Sequence, residues 1–273
     1  MTKRSLVFAS DIHGEYDILF RALSPKDILF VTGDLINFMD FSDFSKGLLS
    51  HAFGIPELIE GLRELSQGKL DRIREAFREI TTPGEDRYEK ILPLIEESYD
   101  SLARSITCET YLLFGNDDYP EILKSKLDGK AVVVDFGSIA VGGLKIDCVS
   151  GIAEGPRTLG FPGEIPRDEF RNRFSGLLGA DIILTHLPPG EEPNTSDLTF
   201  DVIANRNEHA SLELTEYIKK IKPRYSFFGH VHNPKRAEEV IGETMAKNLG
   251  FFKLRNRVTK LDPDTLEMTE VAL

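Results

Sequence analysis

The stretch SFFGHVHNP, residues 226–234, decides how the rest of the chain is read. An apolar run from Tyr225 to Phe228 reads as a strand, and it ends in Gly229 followed by two histidines split by one valine. The whole chain has six histidines, so finding His230 and His232 on one turn calls for a reason. Imidazole is a common ligand for zinc, iron, manganese and related ions. An H-x-H pair alone also fits an ordinary solvated loop, so the other strand ends must decide.

Four more apolar runs end in a similar way. LVFAS is followed by Asp11-Ile12-His13-Gly14, and ILFVT by Gly33-Asp34. YLLF is followed by Gly115-Asn116-Asp117-Asp118, and DIILT by His186-Leu187-Pro188-Pro189. Singly, each has a plain reading: Asp11 caps a helix, Gly-Asp and Gly-Asn-Asp are turns, and His186 ends a strand. Together they carry more weight, because ligands of α/β sheets gather beyond the carboxyl ends of the strands. Four of the six histidines fall at these ends. Asp, Asn and His without Cys form a donor set suited to Mn, Fe, Zn, Co or Ni. The set also holds more donors than one four- to six-coordinate ion uses, so two divalent ions fit better than one.

Composition bounds the partners. At 273 residues and 41% hydrophobic, the chain can bury one large core, with or without an insertion. A net charge of -12 argues against nucleic acid as the partner, since that role needs a basic footprint. It leaves phosphate chemistry open, because bound cations can supply local positive charge. Cys108 and Cys148 form neither a metal-type pair nor a disulfide framework. The opening MTKRSLVFASDIHG is too briefly apolar for a signal peptide, and no run approaches a membrane span. The expectation is a soluble, cytoplasmic protein with no membrane partner and reduced thiols.

Strands are expected at 6–9, 28–31, 111–114, 131–136, 139–141, 144–149, 182–184 and 225–228, with hairpins over 131–149 and about 251–271. Residues 211–222 read as a helix capped by Ser211, with Leu214, Tyr217, Ile218 and Ile221 on one face and Pro223 as its stop. Between about 40 and 107 the spacing changes. Leu58, Ile59 and Leu62, then Ile73, Phe77 and Ile80, then Ile91, Ile95, Tyr99 and Leu102 follow helical periodicity, with breaks at Gly68 and Pro83-Gly84. The pattern predicts a single domain, 1–273, of class α/β, carrying a three-helix insertion at 40–107.

D-x-H, G-D, G-N-x-D, H and G-H-x-H, in that order and each after a strand, resemble the calcineurin-like metallophosphoesterases, in particular their small prokaryotic members. The resemblance spans residues 5 to about 235 around the insertion. It implies a four-layered α/β/β/α sandwich of two packed mixed sheets. It also implies one ion held by Asp11, His13 and His232, a second held by Asn116, His186 and His230, and Asp34 bridging both. The implied reaction is hydrolysis of a small phosphomonoester or phosphodiester by a metal-bridging hydroxide. A nuclease and a non-catalytic protein that keeps the fold are the alternatives.

The chain departs from that pattern at Asp117, where many members carry the histidine credited with protonating the leaving group. Two cations beside Asp117 are expected to hold it ionised and make it a poor acid. His209 then joins Asp34, Asn116 and Asp117 in the catalytic set as a loop residue near substrate. Phe38, Phe41 and Phe44 are expected in the core of the insertion, and His51, Arg157 and Arg206 in solvent, with the two arginines as alternative phosphate partners. The insertion is expected to cap the site or to form a homo-oligomer contact.

Overall fold

Alternate residues of the first strand face two different cores in the computed structural model of the chain, which describes residues 4–40, 42–191 and 194–273. Leu6 and Phe8 point one way and Val7 and Ala9 the other, and all four are buried. A strand covered on both faces reads as an unbroken apolar run, which is why the sequence shows no polar alternation here.

The chain begins with β1 (Leu6–Ala9), α1 (Tyr16–Arg21) and β2 (Ile28–Thr32). Four helices follow: α2 (Leu48–Phe53), α3 (Ile55–Ser66), α4 (Leu70–Thr81) and α5 (Asp86–Ser105). Next come β3 (Glu109–Leu113), α6 (Pro120–Leu127), β4 (Val132–Val133), β5 (Phe136–Val141) and β6 (Leu144–Val149). The short strands β7 (Ile152–Ala153) and β8 (Glu164–Ile165) pair together before α7 (Arg167–Ser175) and β9 (Ile182–Thr185). A second short pair, β10 (Phe200–Asp201) and β11 (Arg206–Asn207), leads to α8 (Leu212–Ile221) and β12 (Tyr225–Phe228). The described chain closes with β13 (Glu238–Ile241), β14 (Thr244–Asn248), α9 (Phe252–Arg255), β15 (Arg257–Leu261) and β16 (Met268–Ala272).

Two six-stranded mixed sheets result, in the orders β16-β15-β1-β2-β3-β4 and β13-β14-β12-β9-β6-β5. Leu6, Phe8, Ile28, Phe30 and Leu113 of the first meet Ile146, Cys148, Ile182, Leu184 and Phe227 of the second. The Phe8 and Phe227 rings lie 4.7 Å apart across this layer. The outward faces take helices, with α1, α5 and α6 on the first sheet and α7 and α8 on the second, giving the α/β/β/α sandwich. β1, β2 and β3 run parallel in one sheet and β9 and β12 in the other, so all five motif-bearing strand ends open onto one side.

Local expectations are met with instructive exceptions. The Ser211 hydroxyl accepts from the Leu214 amide at 3.0 Å, and Lys222 closes α8 in the left-handed region with φ 56°. The run 131–136 is two elements: β4 stays in the first sheet, and β5 starts the second at Phe136. Polar Asp135 sits at that crossing, its carbonyl taking the Ser150 amide. The segment 40–107 holds four helices, because α2 has only six residues and is too short to show a period. Ile59 shares the apolar spacing of α3 yet is 50% exposed. Phe38 is buried against Tyr119 and Phe161, Phe44 packs at the edge of the same core, and Phe41 lies outside the described residues.

α5 is tied to the sheet by more than packing. The buried Tyr99 hydroxyl donates to Asp118 Oδ1 at 3.1 Å and accepts from the Tyr119 amide at 2.8 Å. Removing that hydroxyl leaves buried polar groups short of a partner, a loss of about 1–3 kcal/mol. Urea unfolding should therefore show a lowered midpoint for Tyr99→Phe. Ile59→Ala, at an exposed position, should stay within about 0.5 kcal/mol of the parent.

Candidate metal centre

The motif loops adopt backbone shapes that side chains resist. Asp11 (φ 53°), His13 (39°), Asp34 (52°) and His230 (68°) all lie in the left-handed region. Only four other non-glycine residues share that region among the described residues. Each such residue costs on the order of 1 kcal/mol, and the surrounding hydrogen bonds must hold it there. The first two loops are zipped together: the Asp11 amide donates to the Gly33 carbonyl (3.1 Å), His13 to Asp34 (3.1 Å) and Gly14 to Leu35 (2.9 Å).

Glycines let the donors close in. A Cβ on Gly33 would lie 2.6 Å from His186 Nδ1, and one on Gly115 would lie 2.7 Å from His186 Nε2 and collide with Asp34 Oδ1. A Cβ on Gly229 would overlap Ser10 and the Asp11 carboxylate. These three positions need glycine for space, which explains its place beside the motif donors.

All seven donors meet. Asp11, His13, Asp34 and His232 place ligand atoms within 4.8 Å of one another. His13 Nε2 and His232 Nε2 are 3.3 Å apart, and His232 Nε2 is 3.3 Å from Asp11 Oδ1. Beside them, Asn116 Oδ1 faces His230 Nδ1 at 3.0 Å and His186 Nε2 at 3.3 Å. Asp34 Oδ2 stands between the groups, 3.4 Å from His186 Nε2 and 3.9 Å from His13 Nε2.

The ring orientations suit cation binding. His13 Nδ1 donates to the Ile36 carbonyl at 3.1 Å and His186 Nδ1 to the Thr32 carbonyl at 2.9 Å. Each therefore turns Nε2 toward the cluster, the arrangement that second partners impose on metal-ligating histidines. Two carboxylates, an amide oxygen and four imidazoles facing one small volume fit divalent cations by donor chemistry.

Electrostatics divides the histidines. Burial holds His13 down to about 4 despite Asp34, and burial with the neighbouring His186 holds His230 down to about 3. Burial opposes charge on His186 too, but Asp34 outweighs it and lifts the imidazole to about 9. His232 is raised against burial by its bond to Asp11. Burial alone would raise both carboxyls, yet His186 holds Asp34, and His232 holds Asp11, below the usual carboxylate range.

Several residues position the donors, and of these only Asp118, the last residue of the G-N-x-D motif, had a signal in the sequence. Buried Asp118 accepts from the Leu35 amide (3.1 Å), the Gly115 amide (2.9 Å) and Tyr99. Burial and the Asp34 charge push it up to about 7. Asn248 Nδ2 donates to the Gly229 and Val231 carbonyls, holding the GHVH turn from β14. Phe251 stacks on His232 at 4.0 Å and meets His13 edge-on. Lys253 Nζ bonds the His13 carbonyl (3.2 Å) and pairs with buried Asp40 (2.9 Å).

The centre lies in a cleft also lined by Asp117, Arg157, Arg206 and His209. Arg157 donates to the Asn207 carbonyl and Arg206 pairs with Glu208, and both arginines are exposed. His209 Nε2 donates to the Ala153 carbonyl at 2.8 Å, and burial lowers its pKa. A neutral imidazole so bonded offers Nδ1 only as an acceptor, which counts against His209 as the proton donor. Asp117 lies in the same cleft, beside Asp34 and Asp118. Burial, Asp34 and Asp118 push its carboxyl well above the ordinary value, so the protein's own groups oppose the ionisation that cations would favour. His51 lies exposed on α2, and the cleft does not include it.

The calcineurin-like phosphoesterase family profile matches residues 4–234, and the chain belongs to that family. Its fold is similar to a solved structure at TM-score 0.63 and 17% identity, covering 98% of each chain. It is likewise similar to TT1561 of Thermus thermophilus, at TM-score 0.55 and 13% identity over 99% of each chain. No curated protein sequence matches it. Among the described residues no helix is long and apolar enough to cross a membrane.

Two outcomes follow for the protein stripped of metal. His13 and His230 bind fewer protons folded than unfolded while Asp117 and Asp118 bind more, so these contributions oppose each other and stability should change little from about pH 4 to about 6.5. His186 binds more protons folded, so stability should then fall as pH climbs through about 9, and urea unfolding of His186→Gln should lack that alkaline fall. Gly115→Ala, which displaces Asp34 and His186, should weaken Mn2+ binding by roughly 10- to 100-fold in calorimetric titration.

Proposed function

We propose that the protein is a phosphoesterase that holds two divalent cations and hydrolyses a small phosphomonoester or phosphodiester. One observation carries this reading: a single oxygen, Asp34 Oδ2, faces both donor groups, with His13 on one side and His186 on the other. Asp11, His13 and His232 would hold one cation and Asn116, His186 and His230 the other, with Asp34 shared. Such cations supply Lewis acidity toward phosphoryl oxygens and lower the pKa of water.

The chain's own residues set the rest. Asn116 Nδ2 donates to Asp117 Oδ1 at 2.7 Å, and this bond turns the amide oxygen toward His186 and His230. Asp117 thus orients Asn116, a role that needs an acceptor oxygen and no ionisable proton. Asp34 is fixed in turn by the Asp117 amide, which donates to its Oδ1 at 3.1 Å. With His209 neutral, the leaving group takes its proton from water or from Asp117, whose carboxyl burial and Asp34 hold well above the ordinary value, and esters of acidic alcohols need that proton least.

The test is hydrolysis of p-nitrophenyl phosphate and bis-p-nitrophenyl phosphate by protein loaded in turn with Mn, Fe, Zn, Co or Ni. Asp34→Asn should lower kcat/KM about 100-fold or more and reduce the bound metal. Asp117→Asn should stay near the parent, whereas Asp117→Ala should weaken one cation by roughly 10- to 100-fold. A fully loaded protein that turns over neither ester would favour a non-catalytic role. An Asp34→Asn variant with both metals and full turnover would remove the sharing assignment.

A further inference from the structure

The wall of the cleft continues into a second space that the chemistry above does not use. The cleft, about 580 Å³, is lined by Asp34, Asn116, His230 and His232 of the donor cluster and also by Met39, Phe77 and Leu159. Those three residues also line a cavity of about 310 Å³ among α2, α3 and α4. Its remaining walls include Leu49, Phe53, Leu58, Ile73 and Ile80. The space is half open to solvent and mostly apolar, and it is wide enough to take part of a ligand that enters from the cleft. Gly61 lies on it from within α3, and a side chain added there would meet nothing within 4 Å. Glycine is a poor helix former, so its presence in mid-helix leaves room rather than adding stability.

We propose that the two spaces are one binding site, and that the substrate is an amphiphilic phosphoester. Its phosphoryl end lies at the metal centre, and its aliphatic chain passes over Met39, Phe77 and Leu159 into the helical insertion. This rests on the phosphoesterase reading and narrows its substrate class. The walls offer an apolar chain what it needs and offer a polar group little. The charges at the rim are matched: Arg87 pairs with Glu57 and covers the Phe53 ring at 4.2 Å, and Arg72 pairs with Glu64.

Calorimetric titration of the metal-loaded protein with n-alkyl phosphates, from ethyl to decyl, tests this without relying on turnover. The Kd should fall about three- to fourfold for each methylene until the cavity is full. Gly61→Trp should flatten that series while leaving the Kd of ethyl phosphate and the hydrolysis of p-nitrophenyl phosphate unchanged. Ala76→Phe, which adds bulk from α4, gives a second route to the same result should Gly61→Trp fail to fold. A Kd independent of chain length would overturn the proposal, as would a length dependence that survives both substitutions. Octanol binding alongside octyl phosphate without competition would also overturn it, by showing two separate sites. Failure of the phosphoesterase reading would appear elsewhere, as absent hydrolysis of p-nitrophenyl esters by the same loaded protein.

Discussion

The centre depends on one buried carboxyl group that touches none of the seven donors through its own side chain. Asp118 gathers the Leu35 amide, the Gly115 amide and the Tyr99 hydroxyl onto its two oxygens. Those contacts belong to the turn after β2, the turn after β3 and helix α5. Together with the Asp117 amide, which donates to Asp34 Oδ1, they hold the carboxylate of Asp34 and the amide of Asn116 toward the same point. Buried hydrogen-bonded groups of this kind are costly to disturb, because each partner left behind is also out of reach of water. The helices inserted before β3 are therefore more than decoration: α5 supplies one of the hydrogen bonds that hold Asp118 between two donor-bearing loops.

Around that fixed point the protein holds conflicting charges at close range. Two carboxylates, four imidazoles and two further acidic residues share a buried region, and their pKa shifts run in both directions. Four left-handed non-glycine residues add backbone strain at the same place. An arrangement so unfavourable by itself is stabilised when cations arrive, since the binding free energy then offsets both the crowding and the strain. The donors of α/β proteins gather at strand ends for a related reason. There the backbone leaves the ladder, and loops can adopt conformations that a strand forbids.

Much of this is legible in the sequence because it is written in local patterns. Each donor follows an apolar run within a few residues, and glycine stands beside most of them, as at Gly33-Asp34 and Gly229-His230. The Ser211 cap, the face of α8 and the buried positions of α4 follow the helical period. What stays hidden arises from contacts between distant segments. Asp118 reads as half of an acidic turn until Leu35 and Tyr99 are folded against it. Phe251 and Asn248 lie beyond the last motif, and only the return of β14 and α9 brings them to His232 and its turn. The environment of Asp117 is illegible for the same reason, since its burial beside Asp34 and Asp118 is a property of the folded loops. The crossing at Asp135 is hidden because an apolar run does not say which of two sheets its ends join.

The pairing of Asp11 with His230, and of His13 with His232, joins residues 219 positions apart. Loops closed over such separations form late, because their entropic cost comes before any contact rewards it. During synthesis at about 5–20 residues per second, some ten to forty seconds separate the first of these donors from the last. Throughout that interval Asp11, His13 and Asp34 exist without the GHVH turn. The complete donor set is thus assembled only at the end of folding, once the sandwich has closed.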